Sequence, residues 1–173
     1  MAWVRMSLLA TANKKTKGKI EMGLDQYLTA RKYVSSYFEQ DKELKERLVT
    51  ALGLTEAEYT TEFGFAIDIP KVYWRKANQI HAWFVENVQN GEDDCKDYDL
   101  ATDQLIELRD LCRQVLDNHD LAEELLPVSA GFFFGTYEYD EYYFGQLEHT
   151  ATELTKIIDT SGEFDYFSYR ASW

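Results

Sequence analysis

Apolar and polar positions repeat along this chain with two periods, and each period predicts a type of element. Alternation with a period of two places successive side chains on opposite faces of a strand. It predicts a first strand within residues 23–38 and a second strand over Thr60–Ile69. Spacing of three and four predicts a helix over Asp41–Leu52 and a central helix over Tyr73–Val88. The apolar face of the central helix comprises Ala77, Ile80, Phe84 and Val88, with His81 along its edge.

The second half of the chain continues with helical patterns. After Gly91 it predicts an acidic loop, a helix capped by Thr102 or Asp103, a short helix over Asp120–Leu126, a strand over Gly131–Tyr139, a helix from Asp140 and a last strand over Phe164–Tyr169. The resulting order β, α, β, α, α, α, β, α, β predicts an α+β fold. We expect a single compact domain, with a small, mostly antiparallel sheet and about four helices packed on it.

Composition excludes several function classes. The formal net charge is −13, whereas binding to nucleic acid needs a clustered basic surface, so we expect no direct nucleic-acid partner. The two cysteines form no CxxC pair and predict reduced thiols in a cytoplasmic protein. The sequence has no apolar run of the roughly 18 residues that span a bilayer. It also lacks the P-loop, GxGxxG and GxSxG motifs, and it predicts no cofactor.

Residues 1–21 differ from the rest of the chain. They carry five basic side chains and one acidic one, so the remainder has a formal charge of −17. We interpret them as a basic appendage to a domain over residues 22–173. The apolar run after Arg5 is too short for a signal peptide. Because Lys17-Gly18-Lys19 back-translates to a purine-rich stretch, Met22 is the preferred natural start and residues 1–21 would be a translated leader.

Three motifs together resemble a family of uncharacterised bacteriophage and prophage proteins. They are MGLDQYL from Met22, YWRKANQIHAWFVENVQNGEDDC from Tyr73, and GFFFGTYEYDEYYF from Gly131. The resemblance implies a small protein in a phage or prophage setting, and it supports a start at Met22. It carries over no activity, substrate or catalytic residue.

The central helix carries the first candidate site, which mixes cationic, amide, imidazole and aromatic groups with a carboxylate in the next loop. Arg75 and Lys76 could hold a phosphate or carboxylate, and His81 could move a proton near neutral pH. Alternatively, these side chains pair with neighbouring acids or face solvent. Trp83 stands on the polar side of the helix, where it suits a binding contact. The full set is Trp74, Arg75, Lys76, Asn78, His81, Trp83 and Asp94.

The second candidate site is rich in tyrosine and carboxylate, and its binding residues are Tyr137, Glu138, Asp140 and Tyr142. Tyrosines are amphipathic and suit a binding surface. A metal could use the carboxylates with His149, but HExxH and EF-hand patterns are absent. We therefore favour Asp140 as a helix N-cap over a metal ligand.

These observations favour a phage-encoded, acidic, cytoplasmic interaction protein that binds a host or phage protein. Inhibition of a host or defence macromolecule is one outcome of such binding. The alternative is a small-molecule site, enzymatic or not, on the helix Tyr73–Val88, which requires its polar groups to converge on one concave pocket. Imitation of nucleic acid is a third possibility and requires exposed rows of carboxylates.

Overall fold

A computed structural model of the chain describes residues 6–7, 23–55, 64–129, 131, 135, 137–160, 162, 164 and 166–173. Its strands are β1 (Met6–Ser7), β2 (Asp25–Val34), β3 (Phe65–Arg75), β4 (Tyr98–Leu100) and β5 (Tyr166–Ser172). Its α-helices are α1 (Glu39–Leu52), α2 (Asn78–Asn87), α3 (Thr102–Asp117), α4 (Ala122–Leu125) and α5 (Glu141–Asp159), with a 3-10 helix at His119–Leu121.

The strands form one sheet in the order β1-β3-β2-β5-β4. β1 runs parallel to β3, and every other neighbouring pair is antiparallel. The prediction of an α+β fold with a small, mostly antiparallel sheet is therefore confirmed. Within the part of the chain described, no helix is long and apolar enough to cross a membrane.

Alternation along the strands divides the sheet into two faces. On β2, the inward positions Leu28, Ala30 and Val34 are buried, whereas Tyr27 and Tyr33 point outward and are exposed. Leu28 and Ala30 join a single hydrophobic cluster with residues of α2, α3 and α5. Near its centre the rings of Phe84 and Tyr169 stack at a centroid distance of 3.8 Å. The opposite side of the sheet is called the outer face below.

The start of the central helix is a correction to the sequence analysis. Tyr73–Arg75 do not begin a helix but extend β3, because they pair with the first residues of β2. Proline ends most central strands because it lacks an N–H, but Pro70 lies where the register between β2 and β3 shifts. The bulge therefore lets the strand continue through Pro70, and α2 begins only at Asn78.

Two further elements differ from expectation. The acidic loop after Gly91 contains the short strand β4, which pairs with β5 through only three residues and is too short to give a periodic signal. The strand predicted over Gly131–Tyr139 falls partly outside the described residues, and the described ones among them lie in no strand.

The N-terminal cap of α5 is confirmed, because Asp140 Oδ1 accepts a hydrogen bond of 2.9 Å from the backbone N–H of Tyr143.

Candidate functional surface

Three residues of the first candidate site are buried structural groups. Trp74 is 1% exposed, and its indole N–H donates to Thr150 Oγ1 at 2.9 Å. Asn78 Oδ1 accepts from the backbone N–H of Ser129 at 3.0 Å. Trp83 is 6% exposed, so its predicted position on a solvent-facing side is wrong. The reason is that α2 is enclosed on several sides, with six of its ten residues buried.

His81 belongs to a buried chain of hydrogen bonds that crosses the core. Its Nε2 lies 2.9 Å from Asp93 Oδ1, and its Nδ1 lies 2.8 Å from the hydroxyl oxygen of Tyr169. The Tyr169 hydroxyl also lies within 3.1 Å of Gln26 Oε1, and Gln26 Nε2 donates to the carbonyl oxygen of Ala77 at 3.1 Å. The chain therefore ties β2, α2, β5 and the loop after α2 together.

Burial shifts the pKa values of His81 and Tyr169, the two titratable groups at the centre of this chain of hydrogen bonds. Burial lowers the pKa of His81, and the neighbouring carboxylate of Asp93 opposes that effect. Burial also raises the pKa of Tyr169 well above its usual value. The Nε2–H of His81 donates to Asp93, because a carboxylate can only accept, and the single hydroxyl proton of Tyr169 is donated to Gln26 Oε1. Since His81 is 1% exposed, its ring is not placed to reach a substrate.

The other residues of the two predicted sites pair locally or lie exposed. Asp94 pairs with Lys96 at 2.6 Å, which lowers the pKa of Asp94. Tyr137 and Glu138 are exposed, and the Tyr137 hydroxyl donates to the carbonyl oxygen of Gly131. Among the described residues, no three histidine, cysteine or acidic side chains are grouped as metal ligands.

The structure does bring Arg75 and Lys76 together with Tyr142. The Tyr142 hydroxyl donates to the backbone carbonyl oxygen of Arg75, so the start of α5 packs against the end of β3. Lys76 adopts a left-handed backbone conformation with φ 56°, which is uncommon for a residue with a side chain. Its backbone N–H donates to the carbonyl oxygen of Leu24 at 2.7 Å. Arg75 of the first predicted site and Tyr142 of the second therefore meet at the junction of β3 and α2.

This junction continues onto the outer face of the sheet. Tyr27 lies opposite both Tyr73 on β3 and Arg170 on β5, and the two tyrosine rings are 5.4 Å apart. Asp25 binds Arg75 at 3.1 Å and accepts a hydrogen bond from the Tyr73 hydroxyl. The interaction with the Tyr73 hydroxyl, followed by the charge of Asp25, raises the pKa of Arg75. We call the set the Tyr-Arg surface: Asp25, Tyr27, Tyr73, Arg75, Lys76, Tyr142 and Arg170.

The Tyr-Arg surface is accessible and carries positive charge. Tyr27, Tyr73 and Tyr142 are 43%, 48% and 47% exposed. Three cations against one carboxylate give the surface a formal charge of +2, whereas the whole chain carries −13. Further along the same face, Arg31 donates to Asp68 and to the hydroxyl oxygen of Tyr166, so that cation is already engaged. The Tyr-Arg surface is therefore the positive, aromatic part of the outer face.

The sequence analysis missed Tyr27, Tyr73 and Arg170 as candidate binding residues. The alternation in β2 placed Tyr27 on the polar side, which was the available signal for that residue. Tyr73 was hidden by its assignment to a helix, and Arg170 lies beyond the last predicted strand. Their proximity follows from strand register, which a single sequence does not supply.

Comparisons with protein-family models, curated proteins and solved structures found no significant match to this chain.

Proposed function

We propose that this chain is a phage- or prophage-encoded interaction protein of the host cytoplasm, and that it binds a protein partner through the Tyr-Arg surface. Inhibition of a host or defence component is the expected consequence of that binding. The observation that carries the proposal is the cluster of exposed tyrosines and arginines on the outer face. The motif resemblance supports the phage setting.

Composition favours a protein as the partner. Tyrosine and arginine are the residues most enriched at the energetic centres of protein interfaces. A tyrosine offers a large contact area with few torsions to immobilise, and the pairing of Tyr27 with Tyr73 already restricts both rings. Because the surface stands on a hydrogen-bonded sheet, its backbone is ordered before binding, which lowers the entropic cost of association.

The alternative small-molecule function has less support. It needs the polar groups of Tyr73–Val88 to converge on one cavity. Instead, Asn78 and His81 face protein partners in the interior, and Arg75 lies on the outer face of the sheet. A pocket of about 430 Å³ does lie beside the end of β4, but it contains none of the predicted site residues. Its lining is Asp99, Leu100, Ala101, Thr102, Gln104, Phe164, Tyr166 and Phe167.

Capture from host lysate with matched variants tests the proposal. A Tyr27→Ala/Tyr73→Ala double variant should lose a partner that the parent protein retains, because both rings leave the surface. Tyr37→Ala is the control, since Tyr37 is 74% exposed but lies past the opposite end of β2. Circular dichroism should show all three proteins folded. Equal capture by all three would refute binding through this surface.

A further inference from the structure

Arg75 and Lys76 converge on Gly23. A Cβ atom at Gly23 would lie 3.0 Å from Lys76 Cε and 3.5 Å from Arg75 Nη2. Two positively charged side chains held this close repel each other, and an anion bound near both offsets that repulsion. Asp25 engages one side of the guanidinium through Nη1, whereas the Lys76 ammonium forms no ion pair within the described residues. The Lys76 ammonium, held beside the guanidinium of Arg75, is therefore placed to receive a further carboxylate.

Packing between two glycines supports the position of Lys76. Gly135, with φ 98°, lies so close that a Cβ there would be 3.2 Å from both the Cβ and the carbonyl oxygen of Lys76. Gly23 approaches the same side chain from the start of β2. A larger residue at either position would displace the Lys76 side chain. The fold thus holds a left-handed lysine at a point where asparagine or glycine is the ordinary choice.

Arg170 supplies a second cation on the same surface. It is exposed and forms no ion pair within the described residues, and it lies across from Tyr27. From strand spacing and rise, the backbones of Arg75 and Arg170 are about 12 Å apart. The tyrosine pair lies between them. A length of about 12 Å corresponds to roughly four residues of extended chain.

We propose that the partner presents an extended acidic segment to this surface, a proposal that rests on the function proposed above. One carboxylate binds between Arg75 and Lys76, and a second, about four residues away, binds Arg170. An apolar or aromatic side chain between the two acids packs on Tyr27 and Tyr73. The complementarity is local, because a surface of charge +2 lies on a protein of charge −13.

A protein segment fits these observations better than a nucleic acid. Asp68 lies further along the same face, outside the Tyr-Arg surface, where it would repel the phosphates of a strand that runs past this surface. The overall negative charge would also oppose a polyanion along its whole length. A short segment with two carboxylates avoids both costs, because it contacts only the positive region.

The test is an NMR titration of ¹⁵N-labelled protein with a short capped peptide. The peptide carries two glutamates about four positions apart with tryptophan between them, and a matched peptide carries glutamine in place of each glutamate. Saturable shifts should concentrate at Tyr27, Tyr73, Lys76 and Arg170 with the acidic peptide. The glutamine peptide should bind at least about fivefold more weakly, the loss expected for an exposed charge pair.

Two variants test the cations separately. Lys76→Asn removes the charge and keeps a residue that tolerates the left-handed conformation, and Arg170→Gln removes the charge from an exposed strand position. Each should weaken acidic-peptide binding by about fivefold. Lys42→Gln is the control, because Lys42 pairs with Glu39 on α1 away from the surface, and it should leave the affinity unchanged.

Several outcomes would overturn the proposal. They are equal binding of the two peptides, no shifts on the Tyr-Arg surface, unchanged affinity in both cation variants, or tighter binding of a single-stranded oligothymidylate to these residues. Failure here is distinguishable from failure of the proposed function. If lysate capture depends on Tyr27 and Tyr73 but the acidic peptide does not bind in the NMR titration, the protein still binds a partner through this surface. In that case only the proposal of an acidic segment is wrong.

Discussion

Replacing Tyr169 by phenylalanine is the most informative single change in the core, because one hydroxyl serves two buried partners. That hydroxyl lies 2.8 Å from His81 Nδ1 and 3.1 Å from Gln26 Oε1. Phenylalanine keeps the ring, and so keeps the stack on Phe84. The substitution therefore isolates the hydrogen bonds from the packing.

The expected loss follows from burial. Tyr169 and Gln26 are 0% exposed and His81 is 1% exposed, so water cannot readily replace the missing hydroxyl. A buried polar group that loses its partner costs about 1–3 kcal/mol. With two partners affected, we expect the free energy of unfolding to fall by roughly 2–4 kcal/mol.

Urea denaturation of the parent and variant measures this loss from the shift in midpoint at constant slope. Tyr73→Phe is the matched control, because its hydroxyl bonds Asp25 on an exposed face, and we expect a loss below about 1 kcal/mol. A loss for Tyr169→Phe no greater than that of the control would refute the hydrogen-bond chain as a stabilising feature.

Three further predictions concern protonation, glycine positions and thiols. Burial lowers the pKa of His81 from its ordinary 6.5, so the unfolded chain binds a proton at a higher pH than the native protein does. Protonation therefore favours the unfolded chain, and the free energy of unfolding should decrease as pH falls below about 6.5. An NMR titration of the His81 ring with a midpoint above 6.5 would contradict this. Gly64→Ala should be strongly destabilising, because its Cβ would lie 1.9 Å from a backbone carbonyl oxygen of β2. Gly145→Ala in α5 should stabilise the protein by about 0.5–1 kcal/mol, because its Cβ would meet nothing within 4 Å. Thermal melts in which Gly64→Ala is the more stable variant would contradict the close packing at Gly64. Burial raises the pKa of Cys112 to about 12, so a thiol reagent should modify only the exposed Cys95 in native protein, and rapid modification of both thiols would contradict the buried position.

Local pattern was sufficient for most of the fold. Period-two alternation located β2, helical spacing located α1, α3 and α5, and the side chain of Asp140 caps α5 as its residue type predicts. These features depend on neighbours within a few positions along the chain. The α+β class followed from their order.

Non-local features were the ones that pattern alone did not give. Val72 and Trp74 alternate with Tyr73 and Arg75 across the sheet, but the same letters also fit a helix, and only pairing with β2 distinguishes the two. Trp83 was misplaced because a helix enclosed on several sides does not show one polar face. The Tyr-Arg surface joins residues from three strands and α5, so it depends on register and docking.

Site-specific photo-crosslinking in host cells tests the central claim most directly. A photoreactive amino acid replaces Tyr27 in one protein and Tyr37, the distant exposed tyrosine, in another. We predict a discrete crosslinked partner from position 27 that is absent at position 37 and is lost when Lys76→Asn and Arg170→Gln are added. Crosslinks from position 37 but not from position 27, or none from either, would contradict partner binding at the Tyr-Arg surface.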